Sequence, residues 1–155
     1  MRIEIPGYGE LELTHLVMDY NGTLAIDGKL IDGVKDALIK LSENLSLHVL
    51  TADTFGIAKA GLEGIPCRLT ILPKDDQQGG KLRFVQELGA GHVAAVGNGR
   101  NDQLMLKESA LGVAVILEEG ASMQTLQSAD VVCPSIVSAL DLLENPLRLT
   151  ATLRS

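Results

Sequence analysis

Four short stretches of this chain carry side chains that could act together on a phosphate group. The first, Asp19-Tyr20-Asn21-Gly22-Thr23-Leu24, puts a carboxylate at the end of the apolar run Leu16-Val17-Met18. Thr51-Ala52-Asp53 and Gly97-Asn98-Gly99-Arg100-Asn101-Asp102 also follow apolar runs, and between them Lys81 opens a segment of helical period. An aspartate held at a strand end can attack phosphorus, so that one hard displacement becomes two easier ones through an acyl phosphate. A carboxylate meeting a phosphate brings like charges together, which calls for a cation. Mg²⁺, held by one or two carboxylates with water and phosphate oxygens, suits that task, and Asp102 is the natural second carboxylate. The Thr51 hydroxyl and nearby backbone N–H groups can hold the equatorial oxygens, while Lys81 neutralises charge that builds on them. Gly22, Gly97 and Gly99 let the backbone turn sharply and come close to a ligand.

These stretches can meet only if the elements before them lie side by side. Residues 2–5 and 10–13 alternate polar and apolar around Gly7-Tyr8-Gly9, a hairpin pattern, and Asp27-Gly28 suits the tight turn of a second hairpin over 25–31. Val34, Leu38, Leu41 and Leu45 recur at helical spacing, which predicts a helix over 32–44. Beyond it, strands are expected at 45–50, 67–72, 92–96, 113–117 and 130–133. Helices are expected at 55–62, 81–88, 103–109, 121–127 and 135–143, with a helical tail after Pro146. Strands alternating with helices imply a three-layer α/β/α, Rossmann-like domain over 1–155, with a mostly parallel sheet and an N-terminal β-hairpin. Ligands bind such sheets at the carboxyl ends of the strands, here just after Met18, Leu50 and Val96.

Bulk composition narrows the partners. At 155 residues, 46% of them hydrophobic, the chain can bury one substantial core and is too short for two comfortable domains. Aromatics are 3% with no Trp, and the net charge is −7, so stacking on bases and attraction to a nucleic-acid backbone are both disfavoured. No apolar run is long enough to cross a membrane, and the acidic start lacks a signal-peptide core, so a cytoplasmic setting is expected. Cys67 and Cys133 sit in strand-like apolar runs as small buried hydrophobes. His15, His48 and His92 have no metal-ligand spacing and read as structural. Asp53 reads as the N-cap of the helix beginning at Phe55. Arg100 reads as exposed at the mouth of the site, and Lys74 follows Pro73 in a loop.

Taken in order, these motifs resemble those of the haloacid dehalogenase superfamily. They are closest to the phosphorylation domain of P-type ATPases and its free-standing soluble relatives. Those proteins carry Asp-x-x-Gly-Thr, Thr-Gly-Asp, a Lys-Leu opening a helix and Gly-Asp-Gly-x-Asn-Asp, and the resemblance spans residues 16–133. It implies Asp19 as the nucleophile, with Thr51 and Lys81 completing the catalytic set. It implies phosphate contacts at Gly22, Thr23, Ala52 and Asn101, and Mg²⁺ at Asp19, Asn21, Asn98 and Asp102. The chain has room for no cap domain between Asp19 and Thr51 or between Thr51 and Lys81. The implied site is therefore open to a small phosphorylated molecule or a phosphorylated macromolecule, or is covered by a lid from a second copy.

Two positions depart from the family pattern. Hydrolytic members usually place an Asp two residues after the nucleophile, where it acts as general acid and base; here Asn21 can do neither. Asn98 stands where the last motif has its first Asp, so the cation site loses a charge. The resemblance thus implies a Mg²⁺-dependent phosphohydrolase with slow turnover. A phosphate-binding regulatory module, or a phosphotransferase-type switch holding a stable acyl phosphate, is the alternative.

Overall fold

Consecutive apolar residues on a strand point to opposite faces, so the run Leu16-Val17-Met18 demands cover on both sides. The computed structural model describes residues 1–53 and 56–155 and supplies that cover. An antiparallel hairpin, β1 (Arg2–Ile5) and β2 (Gly9–Glu12), leads into β3 (His15–Asp19). A small hairpin, β4 (Ala25–Ile26) and β5 (Lys29–Leu30), turns through Asp27 and Gly28, both at positive φ, as their types favour. Then come α1 (Val34–Leu41), β6 (Ser46–Thr51), α2 (Ile57–Gly61), β7 (Cys67–Ile71), α3 (Gln77–Leu88) and β8 (Val93–Gly97). The chain finishes with α4 (Gln103–Glu108), β9 (Leu111–Val115), α5 (Met123–Ser128), β10 (Val131–Cys133), α6 (Ile136–Glu144) and α7 (Pro146–Leu153).

The six main strands form one parallel sheet in the order β10-β9-β8-β3-β6-β7. From β3 the chain moves outward to β6 and β7, then returns to the other side of β3 as β8. The reversal opens a crevice at the carboxyl ends of β3 and β8, where Asp19 and Asn98 stand. On one face Leu16, Met18, Val49 and Val96 pack with Val34 and Leu38 of α1 and Ile136 and Leu140 of α6. On the other, Val17, Leu50 and Ala95 pack with Val85 of α3 and Met105 and Leu106 of α4. The described residues thus form an α/β/α arrangement, with helices on both faces of the parallel sheet. Among the described residues, the small hairpin and α1 lie between β3 and β6, and α2, β7, α3 and the 3₁₀ turn Ala90–His92 between β6 and β8.

Three sequence expectations change. Helix α3 begins at Gln77, so Lys81 lies in its second turn rather than opening it. Gly79-Gly80 is a poor helical pair, but Asp76 caps the helix by accepting from Gly79 N at 3.2 Å, and packing against the sheet overrides the propensity. Strand β9 runs from Leu111 and stops at Val115, because after the exposed Ile116, whose N–H still donates to Cys133 O at 3.1 Å, the chain closes a turn in which Gly120 N donates to Leu117 O. Cys67, expected as a small buried hydrophobe, is only half-buried. The N-terminal hairpin packs into the core, with Ile3, Ile5, Leu11 and Leu13 buried in the larger cluster and Ser155 N after α7 donating to Pro6 O. The expected helix start at Phe55 lies outside the described residues. Among the described residues no helix is long and apolar enough to cross a membrane.

Candidate active site

Strand β3 delivers Asp19 to the crevice almost wholly buried, and α3 delivers Lys81, which is fully buried. The ammonium donates to Asp19 Oδ1 at 2.7 Å and to Asp102 Oδ1 at 2.6 Å. Asp102 ends the short 3₁₀ turn Arg100–Asp102, and its other oxygen accepts from Asn98 N and Gly99 N, both at 2.9 Å. Both oxygens of Asp102 are therefore engaged inside the protein. The fit depends on Gly97, where an added Cβ would lie within 2.6 Å of Asp102 atoms.

The other oxygen of Asp19 faces Thr23. The Thr23 hydroxyl lies 3.3 Å from Asp19 Oδ2 and 3.2 Å from Asn98 Oδ1, so its single proton serves two acceptors. Asn98 in turn donates from Nδ2 to Gly120 O at 3.1 Å. Gly22 has φ +75°, and a Cβ there would stand 2.6 Å from Asn98 Nδ2 and 2.7 Å from Glu119 Oε2. Asn21 is exposed beside it. Thr51 is buried at the end of β6, the neighbour of β3, and its hydroxyl accepts from Asp53 N at 3.2 Å. Ala52 follows it, half-buried. Asn101 is half-buried on the 3₁₀ turn, with its Oδ1 close over Gly99.

The electrostatics follow from two carboxyl groups sharing one ammonium. Burial pushes Asp19 up to about 7 and Asp102 adds to this, while Lys81 and the Tyr20 N–H pull the other way. Burial acts to lower Lys81, but Asp19 and Asp102 outweigh it, and the ammonium stays above its usual range. A cluster short of positive charge favours a further cation. The two oxygens that the Thr23 hydroxyl touches, Asp19 Oδ2 and Asn98 Oδ1, are of the hard type that Mg²⁺ prefers. Among the described residues no three His, Cys, Asp or Glu side chains converge as a cation site. The reason is local: Asn occupies positions 21 and 98, and Asp102 is turned onto Lys81.

The remaining candidates fall elsewhere. Asp53 Oδ2 accepts from Ala58 N at 2.6 Å, capping α2. Arg100 is exposed, and its carbonyl accepts from Gln78 Nε2. His15 and His48 pair through ring nitrogens at 3.2 Å near the amino ends of β3 and β6, away from Asp19. Both cysteines are unpaired. Two contributors were missed in the sequence. Thr125 of α5 is buried and donates to Gly99 O at 2.7 Å, steadying the last motif, and Glu119 reaches over Gly22. Neither lies in a motif; only the fold brings them near.

No protein-family model matches the chain. Two uncharacterised proteins of Methanocaldococcus jannaschii are similar in sequence. MJ0073 is 46% identical over 78 residues, which is 48% of this chain and 84% of that protein. MJ0072 is 46% identical over 39 residues, 25% of this chain and 89% of that protein. Among solved structures, the 3-deoxy-D-manno-octulosonate 8-phosphate phosphatase of Moraxella catarrhalis, in complex with magnesium, phosphate and KDO, aligns with TM-score 0.66 and 19% identity over 92% of this chain and 94% of that one. A hydrolase of haloacid dehalogenase subfamily III A from Legionella pneumophila aligns with TM-score 0.69 and 18% identity over 91% and 87%. The cobalt-bound octulosonate 8-phosphate phosphatase of Haemophilus influenzae aligns with TM-score 0.67 and 15% identity over 90% and 89%.

Proposed function

We propose that this chain, which belongs to the family of the Methanocaldococcus jannaschii protein MJ0073 and has the haloacid dehalogenase-like fold, is a phosphohydrolase with Asp19 as its nucleophile. One observation carries the reading above the others: a buried carboxylate at the carboxyl end of the central strand, 2.7 Å from a buried ammonium, beside the crevice where the strand order reverses. Similarity to phosphatases of the same fold supports the class of reaction. Their sugar phosphate is not carried across to this chain.

In the proposed sequence a carboxylate oxygen of Asp19 bonds to phosphorus as the ester P–O bond breaks, leaving an aspartyl phosphate and an alkoxide that takes a proton from water. Water then attacks phosphorus, the acyl P–O bond breaks, and phosphate and the Asp19 carboxylate are released. Lys81 is the proposed group that offsets charge on the transferred phosphoryl group, a role its contact with Asp102 supports. Thr51 and the backbone at Ala52 are the proposed contacts to the equatorial oxygens. Mg²⁺ would be held by Asp19, the Asn21 carbonyl and the Asn98 side-chain oxygen, and when bound supplies positive charge against the incoming phosphate. Asn21 cannot shuttle a proton, which lowers turnover by ~10²–10⁴-fold and favours leaving groups that depart unprotonated. The open site suits a small phosphorylated molecule or an exposed phosphate on a macromolecule.

The test is Mg²⁺-dependent phosphate release from acetyl phosphate and p-nitrophenyl phosphate by wild type, Asp19→Asn and Asn21→Asp. Release by wild type that vanishes in Asp19→Asn, with a gain in Asn21→Asp, is the expected result. The neutral, exposed Asn21 favours a second reading, a switch that holds its acyl phosphate. A phosphorylated chain seen by intact mass, with no turnover until Asn21→Asp is made, would select that reading instead.

A further inference from the structure

We infer that Glu119 is the second acidic ligand of the cation site and restores the charge that Asn98 leaves out. This rests on the reading of the Asp19 crevice as a cation-dependent phosphoryl site.

The need for such a group follows from Asp102. Its Oδ1 is held by Lys81 and its Oδ2 by two backbone N–H groups, and it is fully buried. Of the other carboxylates in the four motifs, Asp53 accepts from Ala58 N at the start of α2, which leaves Asp19 at the carboxyl end of β3. A divalent cation takes most of its affinity from charged oxygens, and one carboxylate with amide oxygens is a weak set.

Glu119 is brought to the place where the charge is missing. It stands on the turn that follows β9, closed by Gly120 N donating to Leu117 O at 2.9 Å, with Gly120 at φ +73°. Asn98 grips this turn through both its side chain and its backbone: its Nδ2 donates to Gly120 O at 3.1 Å, and its backbone carbonyl accepts from Ser122 N at 2.9 Å. Glu119 therefore sits in a segment registered directly on Asn98. Its Oε2 lies 2.7 Å from the point where a Cβ on Gly22 would stand, and Asn98 Oδ1 lies 3.0 Å from that same point. Gly22 is next to Asn21, whose carbonyl is a proposed ligand. Among the described residues the Glu119 carboxylate has no hydrogen-bond or ion-pair partner, so its oxygens are free to bind. Its neighbour Glu118 lines an apolar groove with Ile26, Ile116 and Val137 instead, and makes a control of equal charge.

The experiment measures Mn²⁺ affinity by the EPR signal of the free ion, and Mg²⁺ affinity by calorimetry, on the full chain. Wild type, Glu119→Gln, Glu118→Gln and the double variant Asn98→Asp/Glu119→Gln are compared, with thermal midpoints to confirm folding. Glu119→Gln is expected to weaken both ions about tenfold or more. Glu118→Gln should stay near wild type, and Asn98→Asp should recover the loss. Wild-type affinity in Glu119→Gln, or equal weakening in the two single variants, overturns the inference while leaving the cation site standing. Absence of binding by wild type overturns the cation reading, and this inference with it.

Discussion

Asp102 holds Lys81 at 2.6 Å with one oxygen while its other is occupied by the backbone of its own loop, so the residue that resembles a metal ligand in the sequence is the anchor of the lysine in the fold. Lys81 in turn is the cation that keeps Asp19 and Asp102 together in the interior. Replacing it with Met leaves two buried carboxyl groups facing each other without a counter-charge. A loss of about 3–5 kcal/mol is expected from urea unfolding. Adding Asp19→Asn to that chain should return part of the loss, because one of the two charges is then gone.

Burial, and then the neighbouring Asp102, raise the Asp19 carboxyl against the pull of Lys81. This carboxyl titrates near pH 3.8 when unfolded and about 7 when folded, so the folded state binds the extra proton between those values. The contribution of Asp19 to the stability of the metal-free protein should accordingly fall as pH rises from about 4 to about 7. In Asp19→Asn this slope should disappear, and the variant should be more stable than wild type at neutral pH while inactive. Unfolding midpoints across that range, with chelator present, read the effect.

His48 works in the opposite direction. Burial first, then His15 and Arg68, push its imidazole down to about 4, and its Nδ1 has no hydrogen-bond partner among the described residues. The unfolded chain takes the proton near pH 6.5 and the folded chain only near 4, so stability is lost as pH falls through that window. Wild type should show partial cancellation between His48 and Asp19. Midpoints for His48→Gln should therefore rise more steeply on acidification than those of wild type.

Gly22 is confined by both backbone and neighbours. At φ +75° an L side chain costs about 1–2 kcal/mol. The Cβ would also meet the Asn98 amide, which cannot swing away while Thr23 and Gly120 hold it. Gly22→Ala should lower stability by about 2–3 kcal/mol. It should also abolish phosphate release, read by urea unfolding beside the turnover assay.

Much of this architecture is legible along the chain. The apolar runs before Asp19, Thr51 and Asn98, separated by helical periods, are local patterns, and they state the alternation of strands and helices and the side of the sheet on which the chemistry lies. The four motif residues Asp19, Thr51, Lys81 and Asp102 are visible for the same reason, since each stands at the end of such a run or in a periodic segment. What a side chain does with its charge is not local. Lys81 meets a carboxylate 62 residues before it and another 21 after it, and only the packed sheet decides that Asp102 faces the lysine rather than the crevice. The start of α3 was hidden because two glycines carry the wrong propensity, and only burial against the sheet overrides them. Glu119 was hidden because its turn has no periodicity, and its place over Gly22 depends on hydrogen bonds from Asn98 across a strand boundary. Sequence patterning set the elements and their order; the tertiary structure assigned the partners, because the energies that choose them arise between residues that meet only after folding.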